Sequence, residues 1–169
     1  MSLVLVGGGS RSGKSRFALE YARRHTLPLA FIATAEARDD EMRQRVAAHQ
    51  AERGTVFTTF EEPWNPARSV EDSGDRFGAI VIDCLTLWLS NLLLAGVPDI
   101  PRETATLLRI AVDSPATVLL VTNEVGCGIV PDNALARSFR DLAGTMNQQA
   151  AAAAQEVYWM MFGVPMRVK

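Results

Sequence analysis

The chain has 169 residues, 48% of them hydrophobic, and a net charge of −2. This is enough for one ordinary domain with a substantial core, so 1–169 is read as a single unit, and the near-neutral balance excludes the basic surface that a nucleic-acid partner requires. The two cysteines, Cys84 and Cys127, make no disulfide framework and lack metal-site spacing. No apolar run approaches the ~20 residues of a membrane span, and the N-terminus reads as a strand entering a glycine loop rather than as a signal peptide, so the cytoplasm is the expected compartment.

Leu3–Val6 reads as a buried strand and Lys14–Arg24 as a helix. Between them Gly8-Gly9-Ser10-Arg11-Ser12-Gly13-Lys14-Ser15 fits G-x-x-x-x-G-K-[ST], the phosphate-binding loop. Glycines let backbone amides turn toward phosphate oxygens, and the helix N-terminus adds partial positive charge. Lys14 is expected to reach the outer phosphates, and the Ser15 hydroxyl to hold Mg²⁺. Leu27–Ala35 reads as a second strand, apolar throughout as in a parallel sheet covered on both faces, with Thr34 near its tip. A polar helix is expected from Asp39 to Glu52, carrying Met42, Val46 and His49 on one stripe, with Gly54 as its stop. Thr55–Phe60 reads as a short strand ended by Glu61-Glu62-Pro63-Trp64, and Ala67–Asp75 as a short helix with a turn.

Phe77–Asp83 is an apolar strand ending in a carboxylate. Asp83 is placed to orient Mg²⁺ or its water, although an aspartate there also suits a turn or a helix cap. Leu85–Leu94 reads as an apolar helix, Val97–Pro101 as a turn, Arg102–Val112 as an amphipathic helix and Ala116–Thr122 as a buried strand. Asn123-Glu124-Val125-Gly126-Cys127-Gly128 follows at that strand's tip, where a parallel sheet exposes its ligand edge; local bonding of Asn123 and Glu124 to backbone explains the loop equally well. A long helix is expected over Ala134–Gln155, with Leu135, Phe139, Leu142 and Met146 as its buried stripe. Val157–Phe162 reads as a buried strand, turned by Gly163-Val164-Pro165 into a short antiparallel edge at Met166–Val168. Strands alternating with helices give an α/β fold of the P-loop NTPase kind, a mostly parallel sheet with helices on both faces.

A phosphate loop implies nucleotide binding without naming a reaction. The chain has two histidines. His25, beside Arg23 and Arg24, is sufficiently explained as a cation at a helix C-terminus. His49, by position alone, reads as a packed side chain.

Further stretches carry more information: Gly-Gly-Gly-Ser-Arg-Ser-Gly-Lys-Ser-Arg at 7–16, Phe-Ile-Ala-Thr-Ala at 31–35, Asp-Asp-Glu-Met at 39–42 followed by His49, and Val-Ile-Asp-Cys-Leu-Thr-Leu-Trp-Leu-Ser-Asn at 81–91. Val-Thr-Asn-Glu-Val-Gly-Cys-Gly-Ile-Val-Pro at 121–131 and Leu-Ala-Arg-Ser-Phe-Arg-Asp-Leu-Ala-Gly at 135–144 complete the set. In this combination and order the chain resembles the bifunctional adenosylcobinamide kinase/adenosylcobinamide-phosphate guanylyltransferase family of cobalamin assembly.

The resemblance implies two reactions. A nucleoside triphosphate, GTP or ATP, phosphorylates the aminopropanol hydroxyl of adenosylcobinamide. GTP then donates GMP to that phosphate through a GMP–histidine intermediate, giving adenosylcobinamide-GDP and pyrophosphate. The histidine falls on His49, preceded here by Ala48, with Lys14 as the second catalytic group. The implied nucleotide contacts are Gly8–Ser15, Ala33, Thr34, Ala35, Gln50, Arg53, Glu61 and Asp83, with Mg²⁺ on Ser15 and Asp83. Some members carry glutamate in place of Asp83, whose shorter arm favours a contact through water. The family assembles as a trimer, for which Leu85–Leu94 and the C-terminal strands are the candidate interface. The competing expectations are a P-loop kinase of another small alcohol with a structural His49, and a nucleotide-binding module without turnover.

Overall fold

The computed structural model describes residues 2–36 and 54–169. The helix expected over 39–52, with His49 and Gln50, lies outside the described residues, as does Arg53.

The described residues form one seven-stranded sheet. Its strands are β1 (Leu3–Gly8), β2 (Leu29–Ala33), β3 (Phe57–Glu61), β4 (Ala79–Asp83), β5 (Thr117–Val121), β6 (Glu156–Met161) and β7 (Val164–Arg167), in the order β3-β2-β4-β5-β1-β6-β7. Every neighbouring pair is parallel except β6–β7, the expected antiparallel edge. The helices are α1 (Lys14–Ala22), α2 (Pro66–Ser73), α3 (Leu85–Leu94), α4 (Ile100–Asp113) and α5 (Ala134–Ala153).

Strand alternation divides the core in two. Leu3, Leu5, Ile32, Ile80, Ile82, Val118 and Leu120 point to one face and pack under α2 to α5. Val4, Val6, Phe31, Val81, Leu119 and Val121 point to the other and pack on Phe17, Ala18 and Ala22 of α1. Both faces of the central strands are covered, which is why these strands are apolar without a polar alternation.

Several boundaries move for identifiable reasons. β2 starts at Leu29, because Leu27 is exposed and Pro28 has no N–H to give a ladder. α4 begins inside the expected turn: the Asp99 side chain accepts the Arg102 amide, and Pro101 occupies the first turn, where its missing N–H costs nothing. On α5 only Ala143, Met146 and Ala150 are buried, so the expected stripe holds at Met146 and fails at Leu135, which is 54% exposed. The N-terminal half of this helix runs past the sheet. β6 is half-buried rather than buried, since only β7 lies beyond it. Leu85, Trp88, Leu89 and Leu92 of α3 are consumed by the chain's own core, so this helix offers a neighbour little apolar surface.

Candidate active site

The sheet places the expected site residues in one transverse row. Val6 of β1 pairs with Val121 of β5, Val121 with Asp83 of β4, Asp83 with Ala33 of β2, and Ala33 with Glu61 of β3. β5 therefore stands between the loop-bearing strand and the Asp83 strand. With strands ~4.8 Å apart, Asp83 lies about 10 Å across the sheet from β1. Chain order could not reveal this insertion, and it brings the Thr122–Gly126 segment to the middle of the ligand edge.

The phosphate-loop residues leave β1 at Gly8 and enter α1 at Gly13, whose φ of +91° is the left-handed turn a glycine adopts freely. At Gly8 a Cβ would sit 2.8 Å from both the Met160 carbonyl oxygen and Ser12 Oγ. The Ser12 amide donates to Gly9 O at 3.3 Å, which curls the loop. No side chain caps α1, so its first amides face the concavity without a competitor. Lys14 is buried and folds over the loop, its Nζ donating to Gly9 O at 2.6 Å. Burial pulls its pKa below the ordinary lysine value, against the opposing influence of Cys84 and Asp83. Ser12 Oγ is buried with no hydrogen-bond partner. An orphaned hydroxyl inside a ring of amides is the donor set that phosphate oxygens satisfy.

Ser15 and Asp83 fit Mg²⁺ as hard oxygen donors. The described residues hold no group of three or more His, Cys, Asp or Glu. A divalent ion here would take its other ligands from phosphates and water, as Mg²⁺ does.

Thr34 directly follows β2, at the strand tip where it is expected. It is fully buried, and its hydroxyl donates to Cys84 O and accepts the Cys84 amide, each at 2.8 Å. Its amide donates to Asp83 O, and its carbonyl accepts Asn91 Nδ2. Its hydroxyl, amide and carbonyl are all engaged within the protein, so Thr34 fastens β2 to the end of β4 and supports Asp83 from behind. Ala33 is buried at the same tip, and Ala35 is half-buried. Glu61 is exposed at the end of the edge strand. The Cys84 thiol, buried beside Asp83, is pushed up to about 11, first by burial and then by that carboxylate; it is a neutral group at physiological pH.

The Asn123–Gly128 loop does more than bond its own backbone. The Glu124 amide donates to Gly8 O at 3.1 Å, tying the loop to the phosphate cradle. Glu124 Oε1 accepts the Gly126 amide, and Arg140 Nη2 donates to Gly126 O at 2.7 Å. Asn123 Nδ2 donates to Thr86 Oγ1 at 2.8 Å, while Asn147 of α5 holds Asn123 O and accepts Thr122 Oγ1. These contacts frame a cavity of about 360 Å³ against Ser10. A larger cavity of about 510 Å³, lined by His25, Phe77 and Pro115 among others, lies at the opposite end of the strands, away from the loop. Asn147 and Arg140 sit on the half-exposed side of α5, where apolar periodicity gives no signal.

Fold and loop together define a P-loop nucleotide-binding protein. The sequence model of the cobinamide kinase / cobinamide phosphate guanyltransferase family matches residues 4–168, and the chain belongs to that family. It is 40% identical over 166 residues to the bifunctional adenosylcobalamin biosynthesis protein CobP of Pseudomonas aeruginosa, covering 98% of this chain and 96% of that protein. It is 37% identical over 181 residues to the bifunctional adenosylcobalamin biosynthesis protein CobU of Escherichia coli K12, covering 99% of each. The fold is similar to that of the type III secretion ATPase EscN of enteropathogenic E. coli, with a TM-score of 0.57 at 14% identity over 95% of this chain and 43% of that one. Among the described residues no helix is long and apolar enough to cross a membrane.

Proposed function

We propose that one phosphate-binding loop, Gly8–Ser15, serves both reactions of the family within a single unit spanning 1–169. The supporting observation is the cradle itself, in which uncapped helix amides, the Lys14 ammonium and the unpartnered Ser12 hydroxyl converge. In the first reaction the loop holds GTP or ATP, and the γ-phosphoryl group passes to the aminopropanol hydroxyl of adenosylcobinamide. In the second it holds the β- and γ-phosphates of GTP. A His49 nitrogen attacks the α-phosphorus, the bond to pyrophosphate breaks with its electron pair on the departing oxygen, and an N–P bond forms. The phosphate of adenosylcobinamide phosphate then displaces the histidine, giving adenosylcobinamide-GDP.

Lys14 offsets charge developing on the phosphoryl or pyrophosphate oxygens. Mg²⁺, held by Ser15 and Asp83, would neutralise charge on the outer phosphates. Thr34, Arg53 and Glu61 hold the guanine nucleotide, the Glu61 carboxylate accepting from guanine N1–H and N2–H, with Ala33, Ala35 and Gln50 as further nucleotide contacts. The protein works in the cytoplasm as a homotrimer. The exposed β6–β7 hairpin, with Phe162 at 96% and Val164 at 60%, is the surface that suits contact between copies.

Incubation with α-labelled GTP and Mg²⁺ tests the mechanism. The protein acquires label that is acid-labile and base-stable, and His49→Ala does not. Label that survives His49→Ala, or no label on the wild type, removes the guanylylated histidine.

A further inference from the structure

We propose that the cavity beside Ser10 receives the hydroxyl-bearing arm of the acceptor, and that Glu124 takes the proton from that hydroxyl in the phosphoryl-transfer step. The inference rests on the kinase reading above and adds a site and a catalytic group to it.

The cavity lies at the outer end of the phosphate cradle. The phosphate-loop lysine is the residue that meets the outer phosphates, and here Lys14 Nζ reaches Gly9 O at 2.6 Å. The terminal phosphate therefore faces the Gly9–Ser10 end of the loop, and Ser10 is a wall of the cavity. Across from it stand Thr86 and Ser90 of α3, Asn123 and Glu124 of the β5 loop, and Phe139 of α5. The groove, of about 360 Å³ and open to solvent, suits a short hydroxyalkyl arm with its amide, while a corrin ring is too large to enter it. Polar Ser10, Thr86, Ser90, Asn123 and Glu124, interleaved with apolar Leu87, Val125 and Phe139, match an arm that carries an amide and a hydroxyl on a carbon chain.

Glu124 is held there on purpose-built supports. Its amide is bonded to Gly8 O, so its backbone moves with the cradle. Its Oε1 is anchored by the Gly126 amide, and Gly126 is in turn held by Arg140 Nη2. Its Oε2 has no hydrogen-bond partner among the described residues. One oxygen is thus fixed by the Gly126 amide, and Glu124 itself forms part of the cavity wall, the arrangement a general base needs. The loop-bonding reading and the catalytic reading of Glu124 hold together, one through each oxygen.

The step balances without another reactant. The acceptor O–H bond breaks and its proton goes to Glu124 Oε2. The acceptor oxygen bonds to the γ-phosphorus, and the bond from that phosphorus to the bridging oxygen breaks. The electron pair leaves on the nucleoside diphosphate. The guanylyl step needs no such base, because its acceptor is a phosphate that is already anionic.

That difference provides the test. Glu124→Gln keeps an oxygen for the Gly126 amide but cannot accept a proton. The two half-reactions are measured separately, adenosylcobinamide with nucleoside triphosphate and adenosylcobinamide phosphate with GTP. The variant is expected to lose ~10²-fold or more in kcat of the phosphoryl step relative to the guanylyl step. Ser90→Phe, which fills the cavity, is expected to raise KM for both corrinoid acceptors at least ~10-fold while KM for GTP stays within about 2-fold, since the added ring takes the space of the arm. Equal loss of both steps in Glu124→Gln, or a ratio within ~3-fold of wild type, overturns the base assignment; unchanged acceptor KM in Ser90→Phe overturns the cavity assignment, the expected effects being those of general-base and pocket contacts. Absence of phosphoryl transfer in the wild type would instead overturn the kinase reading, so the two failures are distinct.

Discussion

Thr34→Val is the sharpest probe of how the ligand edge is built. Valine matches threonine in shape, so the change removes a hydroxyl and leaves no cavity. In the native protein that hydroxyl donates to Cys84 O and accepts the Cys84 amide, both at 2.8 Å and out of contact with water. The carbonyl keeps a second partner, the Trp88 amide at 3.1 Å in the first turn of α3. Its loss is that of one ordinary hydrogen bond, ~0.5–1.5 kcal/mol, whereas the amide is left buried and unpaired at ~1–3 kcal/mol. The sum, about 1.5–4.5 kcal/mol, corresponds to a fall of roughly 0.8–2.3 M in the urea midpoint for a slope of ~2 kcal/mol/M. Thr34→Ser retains the hydroxyl and loses one methyl, for which ~0.5–1.5 kcal/mol is expected. Urea melts followed by far-ultraviolet circular dichroism measure both. A Thr34→Val midpoint within about 0.3 M of wild type, on that slope, together with a large loss of GTP affinity, would refute the fastening role and leave Thr34 as a ligand residue alone.

Gly8→Ala drives a methyl to 2.8 Å from the Met160 carbonyl oxygen and Ser12 Oγ; it should destabilise by ~1–3 kcal/mol and weaken nucleotide binding, read by thermal melts and by titration with a fluorescent GTP analogue. With the Cys84 thiol buried and its pKa pushed up to about 11, and Cys127 exposed, an alkylating reagent at pH 8 should label one thiol in the native protein and two in urea, counted by mass spectrometry. Burial depresses the Lys14 pKa, and a bound polyphosphate raises it again, so the bound state holds more protons than the free state once free Lys14 begins to titrate. GTP binding should then take up protons and weaken as pH rises through the alkaline range, which calorimetry in buffers of different ionisation enthalpy detects. Lys14→Ala removes that proton uptake.

The sequence was most readable where local chemistry decides the structure. The loop spacing at Gly8–Ser15 and the apolar run closing at Asp83 are both visible in one dimension, and α3 occupies Leu85–Leu94 as its apolar pattern predicts. Strand order was not readable: β5 enters between β1 and β4 because of long-range pairing, which no local pattern encodes. The same limit hides the contacts of Thr34 and Glu124. Thr34 follows the last residue of β2, and whether its hydroxyl meets a ligand or the neighbouring strand depends on Cys84, fifty positions away in sequence. For Glu124 the sequence leaves a ligand-edge role and local backbone bonding equally open; the structure shows the backbone bonding, and the β5 insertion sets the loop against Gly8. The exposed Leu135 shows the converse error. Helical periodicity locates an apolar stripe and cannot tell how far the sheet extends beneath it.

The central claim is that one phosphate cradle serves both chemistries, and Lys14→Ala tests it most directly when both half-reactions are assayed on the same preparation. The account predicts that phosphoryl transfer to adenosylcobinamide and guanylyl transfer to adenosylcobinamide phosphate fall together, each by ~10²-fold or more, as expected when a preorganised charge facing the departing phosphates is removed. Guanylyl transfer at the wild-type rate in a variant that has lost the kinase step would show that GTP is held elsewhere and contradict the account.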